Sequence, residues 1–159
     1  MYRWWLFAHL ASVVGFLLAH GFSVTMGFRL RGQKSPEAIR SLTELSRDAG
    51  GFTYVFLLLV LITGVAMGWQ LNWWRFLWIW VAIVVLVLTI GLMNALARPY
   101  HTIRAAAGVP GGNRRSPAPP AAPLGPLLEA VARANPWPIS IVGIVALLLL
   151  LWLMIVKPF

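Results

Sequence analysis

The sequence predicts an all-α membrane protein: a four-span transmembrane helix bundle, both termini outside, with two basic cytoplasmic loops carrying short amphipathic helices. Three observations predict it. Four runs of at least 18 apolar-dominated residues contain no Asp, Glu, Lys or Arg, the length a helix needs to cross a bilayer. The chain is 60% hydrophobic and 11% charged, with a mean hydropathy of +0.79. A globular domain carries about 25% charged residues, so here lipid rather than one small soluble core covers the apolar surface. The basic residues, finally, gather in two of the connecting segments and avoid the other ends.

The first span is Trp4–Phe28, 25 residues without a formal charge. Arg3 ahead of an apolar run has the look of a signal peptide. The run is too long for one and no small-residue cleavage site follows, so the sequence predicts a retained helix. The second span covers 52–69, the third 76–97 and the fourth 137–156. None has the polar face that a soluble helix needs. A turn over 70–75 makes spans two and three an antiparallel hairpin. The 159 residues are thus expected to form one transmembrane domain. Gly64 and Gly68, and Ala11, Gly15 and Ala19, are small-residue patterns that let helix backbones approach closely.

Orientation follows from the loops. Arg29, Arg31, Lys34, Arg40 and Arg47 lie between spans one and two; Arg98, Arg104, Arg114, Arg115 and Arg133 lie between spans three and four. The opposite side holds only Arg3, Arg75 and Lys157. The positive-inside rule then places both long loops in the cytoplasm. A net charge of +9 arranged beside apolar helices points to anionic lipid headgroups, not nucleic acid, as the partner. Within loop one, Ser35-Pro36-Glu37 starts a helix, expected to end near Arg47 before Gly50-Gly51. Its Ile39, Leu42 and Leu45 stripe fits either an interfacial helix on the inner leaflet or a solvated connector. Loop two is rich in Pro, Gly and Ala over about 108–126 and reads as extended or disordered. A short amphipathic helix follows over about 126–134, with Leu127, Leu128 and Val131 apolar. Asn135-Pro136 breaks it before span four.

Eight of the nine tryptophans map to the outer half. They fit either an aromatic belt at the interface or an indole-lined cofactor pocket. The absence of cysteine excludes disulfides and thiolate ligands. No nucleotide-binding glycine loop, metalloprotease motif or nucleophile elbow is present, and no span carries a charged residue of the kind that drives ion coupling. What remains is histidine. His9 and His20 stand eleven residues apart on span one, on nearly one face and roughly 16 Å apart along the axis. Thr89 and Asn94 of span three are expected at the depth of His20, and Met67 of span two near His9. Three readings stay open. His20, with His9, holds haem b in the bundle; a partner ligand is needed, since His101 lies beyond the inner end of span three, and Met26, Met67 and Met93 offer thioethers. Alternatively His9 and Met67 form an outward-facing copper site. Or each histidine hydrogen-bonds a neighbouring helix. The reading favoured overall is non-enzymatic: a scaffold or accessory subunit of a membrane complex.

The opening W-x-F-x-H-L (Trp5 to Leu10), A-H-G-F-S (Ala19 to Ser23) and F-R-L-R (Phe28 to Arg31), followed by SPEAIRSLTELS, resembles a group of small bacterial integral membrane proteins of uncharacterised function. That group is distantly similar to the membrane domain of copper-resistance-D-type proteins, which carry a Leu-His pair near the start of a span; the match here falls on His9-Leu10. The likeness covers mostly the first 50 residues. It implies a bacterial inner membrane location and a link to copper, and transfers no activity.

Overall fold

The computed structural model describes residues 1–111 and 117–158. Among the described residues six α-helices follow in order: α1 (Tyr2–Leu30), α2 (Pro36–Gln70), α3 (Leu77–Leu96), α4 (Arg98–Ala106), α5 (Leu124–Arg133) and α6 (Pro136–Val156), with a short 3-10 turn at Trp73–Arg75 before α3. No strand occurs among the described residues. Among the described residues four helical segments are long and apolar enough to cross a bilayer, one for each apolar run of the sequence. The protein is an all-helical, multi-pass membrane protein.

α1 and α2 form the tightest pair, an antiparallel hairpin closed by residues 31–35. Ser35 caps α2, its hydroxyl accepting from the Ala38 N–H at 3.4 Å, with Pro36 in the first turn. Three contacts mark the register along the pair. Ser23 and Ser46 hydroxyls meet at 3.2 Å near the loop. The Phe56 ring fills the space a side chain would take at Gly15. His9 meets Thr63 toward the far end. The second pair is α3 with α6, and α1 touches α6 to join the two. The hairpin expected between spans two and three is therefore not the closest packing. Bulky side chains occupy that seam: the Trp74 ring lies over Gly68, and the Tyr54 hydroxyl donates to Asn94 Oδ1 at 3.3 Å. Glycine is the reason α1 and α2 come closer. Of the small-residue ridge, Gly15 does the packing, whereas Ala11 is exposed and Ser12 is the buried neighbour.

The helix stop expected at Gly50-Gly51 is overturned. α2 runs through both glycines for 35 residues, roughly 52 Å at 1.5 Å per residue. Each glycine costs about 1 kcal/mol relative to alanine in a helix, and tertiary packing outweighs that, because Ile39, Thr43 and Ala49 are all buried. The segment after Pro36 is neither a separate helix on the leaflet nor a loose connector. It prolongs the axis of span two beyond the apolar region. Its expected stripe divides: Ile39 is fully buried, Leu42 half-buried, and Leu45 exposed.

At the end of α3 the chain breaks at Ala97. Pro99 has no N–H to continue the ladder and restricts the residue before it; α4 then starts with Pro99 in its first turn. This helix was not expected from the sequence. Gly108 turns the chain with φ +70°, where a Cβ would meet Ala121 and the Pro119 carbonyl at 3.3 Å. The return is pinned by the Ala122 N–H donating to the Ala106 carbonyl at 2.8 Å. Up to Pro123 the described parts of the Pro/Gly/Ala segment are thus non-helical but anchored, α5 takes its last residues, and 112–116, including Arg114 and Arg115, lie outside the described residues. α5 arrives close to its expected bounds. Asn135 then caps α6 by accepting from the Trp137 N–H at 3.2 Å.

Burial concentrates at the two ends of the molecule, not at mid-span. At one end Leu30, Ile39, Ile103, Ala107, Val109, Leu127, Val131 and Ala134 form a single apolar core. This cap joins the ends of α1 and α2 to α4 and α5, and the Phe28 and Trp137 rings, 5.1 Å apart and edge-on, tie in the start of α6. At the other end Met67, Trp78, Ile79, Ala82 and Leu153 are buried.

Candidate functional site

The two histidines of α1 look toward different helices. His9 Nδ1 lies 2.9 Å from Thr63 Oγ1 on α2, and its Cε1 sits over Gly64. The Thr63 hydroxyl also reaches back to the Leu59 carbonyl at 2.7 Å, as threonine does in helices. Met67 is buried one turn beyond Thr63 on the same face of α2. His20 stacks on Phe16, with ring centroids 5.6 Å apart and planes nearly parallel. A Cβ at Gly143 of α6 would lie 3.4 Å from His20 Nε2 and 3.0 Å from the Met93 methyl carbon. One glycine on α6 thus admits an imidazole from α1 and a thioether from α3. Of the polar groups expected near His20, Thr89 satisfies its own helix at the Val85 carbonyl and Asn94 bonds Tyr54. Among the described residues no group of three or more His, Asp or Glu side chains gathers as a metal site would need.

The tryptophans divide between belt and packing. Trp4, Trp69, Trp80 and Trp152 are exposed along the apolar surface, as a belt requires. Trp73, Trp74 and Trp78 pack inward. Trp73 meets Trp78 at 5.3 Å, Trp74 meets Trp69 and Trp80 at 6.1 and 5.9 Å, and the Lys157 ammonium lies 4.4 Å from the Trp73 centroid. This ladder of rings and one cation closes the end opposite the cap.

At the cap end the structure gathers both basic loops. Arg29, Arg31, Lys34, Arg40 and Arg98 are exposed there, whereas Arg47 and Arg104 are half-buried. Arg40 pairs with Glu44 at 3.0 Å and Arg47 with Asp48 at 3.1 Å. Between α1, α2 and α4 lies a cavity of about 20 Å³, lined by Gly27, Thr43, Ser46, Tyr100 and Arg104 among others. Two polar atoms are buried here without a hydrogen-bond partner, Tyr100 Oη and Arg104 Nε. The Tyr100 ring packs beside Gly27, where a Cβ would stand in ordinary contact 3.5 Å from Tyr100 Oη. The Arg47 charge acts on Arg104 and the Arg31 charge on Tyr100.

Sequence reasoning singled out Arg104 as one surface cation among many and passed over Tyr100, Thr43 and Ser46. The available signal was the spacing of Tyr100, Ile103 and Ala107, which marks one face of a helix in a stretch read as the start of a loop. Comparison with protein-family models, with curated proteins and with solved structures gave no match.

Proposed function

We propose that the protein is a non-enzymatic scaffold or accessory subunit of a membrane complex, set in a bacterial inner membrane with the cap in the cytoplasm and both termini outside. The observation that carries this reading is the cap. A single apolar core takes Leu30 from α1, Ile39 from α2, Ile103 from α4 and Leu127 from α5. The chain therefore spends its best-packed residues on fixing the positions of its spans. Around that core the exposed Arg29, Arg31, Lys34, Arg40 and Arg98 present a positive surface, suited to anionic headgroups or to an acidic partner chain. Purification from native membranes in mild detergent tests the reading. It predicts a partner chain at fixed stoichiometry, lost when Ile103→Asp disrupts the cap while the isolated chain stays membrane-inserted. Recovery of the chain alone at every detergent strength contradicts it.

A second reading is a haem-b electron-transfer protein, favoured by one observation: His20 and Met93 approach the same point at Gly143. Imidazole and thioether are an axial pair that iron accepts. The two side chains already fill the space beside Gly143, so a porphyrin would require α1, α3 and α6 to separate there. A Soret band in the purified protein, abolished by His20→Ala and shifted by Met93→Ala, supports this reading; a flat spectrum from cells making haem removes it.

A further inference from the structure

The cap cavity combines features that apolar packing does not call for. Its wall holds two hydrogen-bond donors, Tyr100 Oη and Arg104 Nε, both buried and both without an acceptor. An unsatisfied buried polar group is costly, and an arginine more so, because its guanidinium keeps its charge. The cavity that Tyr100 and Arg104 help to line, about 20 Å³, is the size of one oxygen-sized guest. Other partners in the wall are already engaged. Thr43 donates to the Ile39 and Arg40 carbonyls, and Ser46 is bonded to Ser23. Cationic neighbours act on both donors, Arg47 on Arg104 and Arg31 on Tyr100, and Tyr54 opposes Arg47 at Arg104. Arg47 is itself bonded to Asp48. An acceptor oxygen is what these donors lack, and the neighbouring cations favour one that carries negative charge.

Depth narrows the source. Gly27, on the wall, adjoins the end of the first apolar span, and Ser46 lies six residues short of Phe52, where the second begins. Six residues rise roughly 9 Å along a helix, and the headgroup layer is about 5 to 8 Å thick on each side of the hydrocarbon. The cavity thus extends outward from the end of the hydrocarbon and is within reach of a headgroup phosphate, whichever side of the membrane the cap faces.

We propose that the cavity is a phosphate site, in which Tyr100 Oη and Arg104 Nε donate to one phosphate oxygen, and that an anionic phospholipid headgroup at the membrane surface supplies it. The pocket is too small for a whole phosphate. One oxygen enters while the remainder of the headgroup stays outside, beside Arg47 and Arg31. The site does not depend on the scaffold reading and stands if that reading fails.

The test uses the full chain, delipidated and placed in nanodiscs of phosphatidylcholine with or without phosphatidylglycerol. Native mass spectrometry counts retained phosphatidylglycerol, and thermal unfolding is followed with and without inorganic phosphate in the phosphatidylcholine discs. The expected result is one phosphatidylglycerol retained per chain by the wild type and by Arg75→Gln, whose side chain is exposed at the opposite end of the molecule, outside the cavity and the basic surface around the cap. Retention falls about tenfold in Arg104→Gln and Tyr100→Phe, the effect of one charge-assisted hydrogen bond. Tyr100→Phe keeps the ring against Gly27 and so preserves packing if Arg104→Gln misfolds; circular dichroism checks both. Stabilisation by inorganic phosphate that both variants lose, without lipid retention, supports the same site with free phosphate as its ligand. Equal retention by all four proteins overturns the proposal in favour of general attraction to the basic surface. No retention and no phosphate effect in any of them overturns it in favour of a water-filled void.

Discussion

At the scale of single residues, three glycines decide which side chains meet. Gly15 accepts Phe56, Gly68 accepts Trp74, and Gly143 accepts His20 with Met93. Gly21, by contrast, faces open space. Gly15→Ala is therefore expected to push α1 from α2 and lower stability by about 1 to 3 kcal/mol, the usual cost of overpacking. Gly21→Ala should be neutral or stabilising by up to about 1 kcal/mol. Unfolding in mixed detergent measures both, and Phe56→Ala in the Gly15→Ala background should restore much of the loss. An equal response at the two positions would show that Gly15 is not a contact. The His9–Thr63 bond is of the kind worth about 0.6 kcal/mol between membrane helices. Thr63→Val keeps the shape and should cost roughly that amount, read by the same unfolding assay; a cost several times larger would mean His9 holds something other than Thr63. His9, His20 and Met93 were all visible in the sequence as candidates. Their pairing was not, because helix periodicity fixes a face but not the neighbour that face will meet.

At the scale of elements, hydropathy found the four helices that are long and apolar enough to cross a membrane, since the bilayer imposes the length and the composition of each. Local turn signals served well where nothing competed with them: Ser35-Pro36 starts α2 and Asn135-Pro136 starts α6. The Gly50-Gly51 signal failed because propensity is a weak term beside packing, and Ile39, Thr43 and Ala49 bury their side chains on one continuous helix. Neither glycine has a neighbour that a Cβ would meet. Replacing both by alanine is therefore expected to stabilise the protein by about 1 to 2 kcal/mol. Destabilisation, seen in the same unfolding assay, would instead mark Gly50-Gly51 as a required bend. The helix α4 was missed for a related reason: nine residues headed by Arg-Pro look like loop until Ile103 has a core to enter.

At the scale of the whole molecule, the protein has two closed ends and a thin middle. The tryptophan ladder with Lys157 closes one; the cap, with its apolar core and exposed cations, closes the other. Ile103, fully buried in that core, should cost about 2 to 5 kcal/mol when truncated to alanine, far more than an exposed residue such as Thr102. The functional reading rests on the cap being one body on one side of the membrane, the cytoplasmic side. The native chain has no cysteine, so single cysteines placed at exposed Ser41, Thr102 and Asn72 can be labelled without background. In intact cells, a membrane-impermeant maleimide should label the Asn72→Cys protein and leave the Ser41→Cys and Thr102→Cys proteins unmodified until the membrane is opened. Labelling of either cap position from outside, or of the two cap positions from opposite sides, would contradict the account.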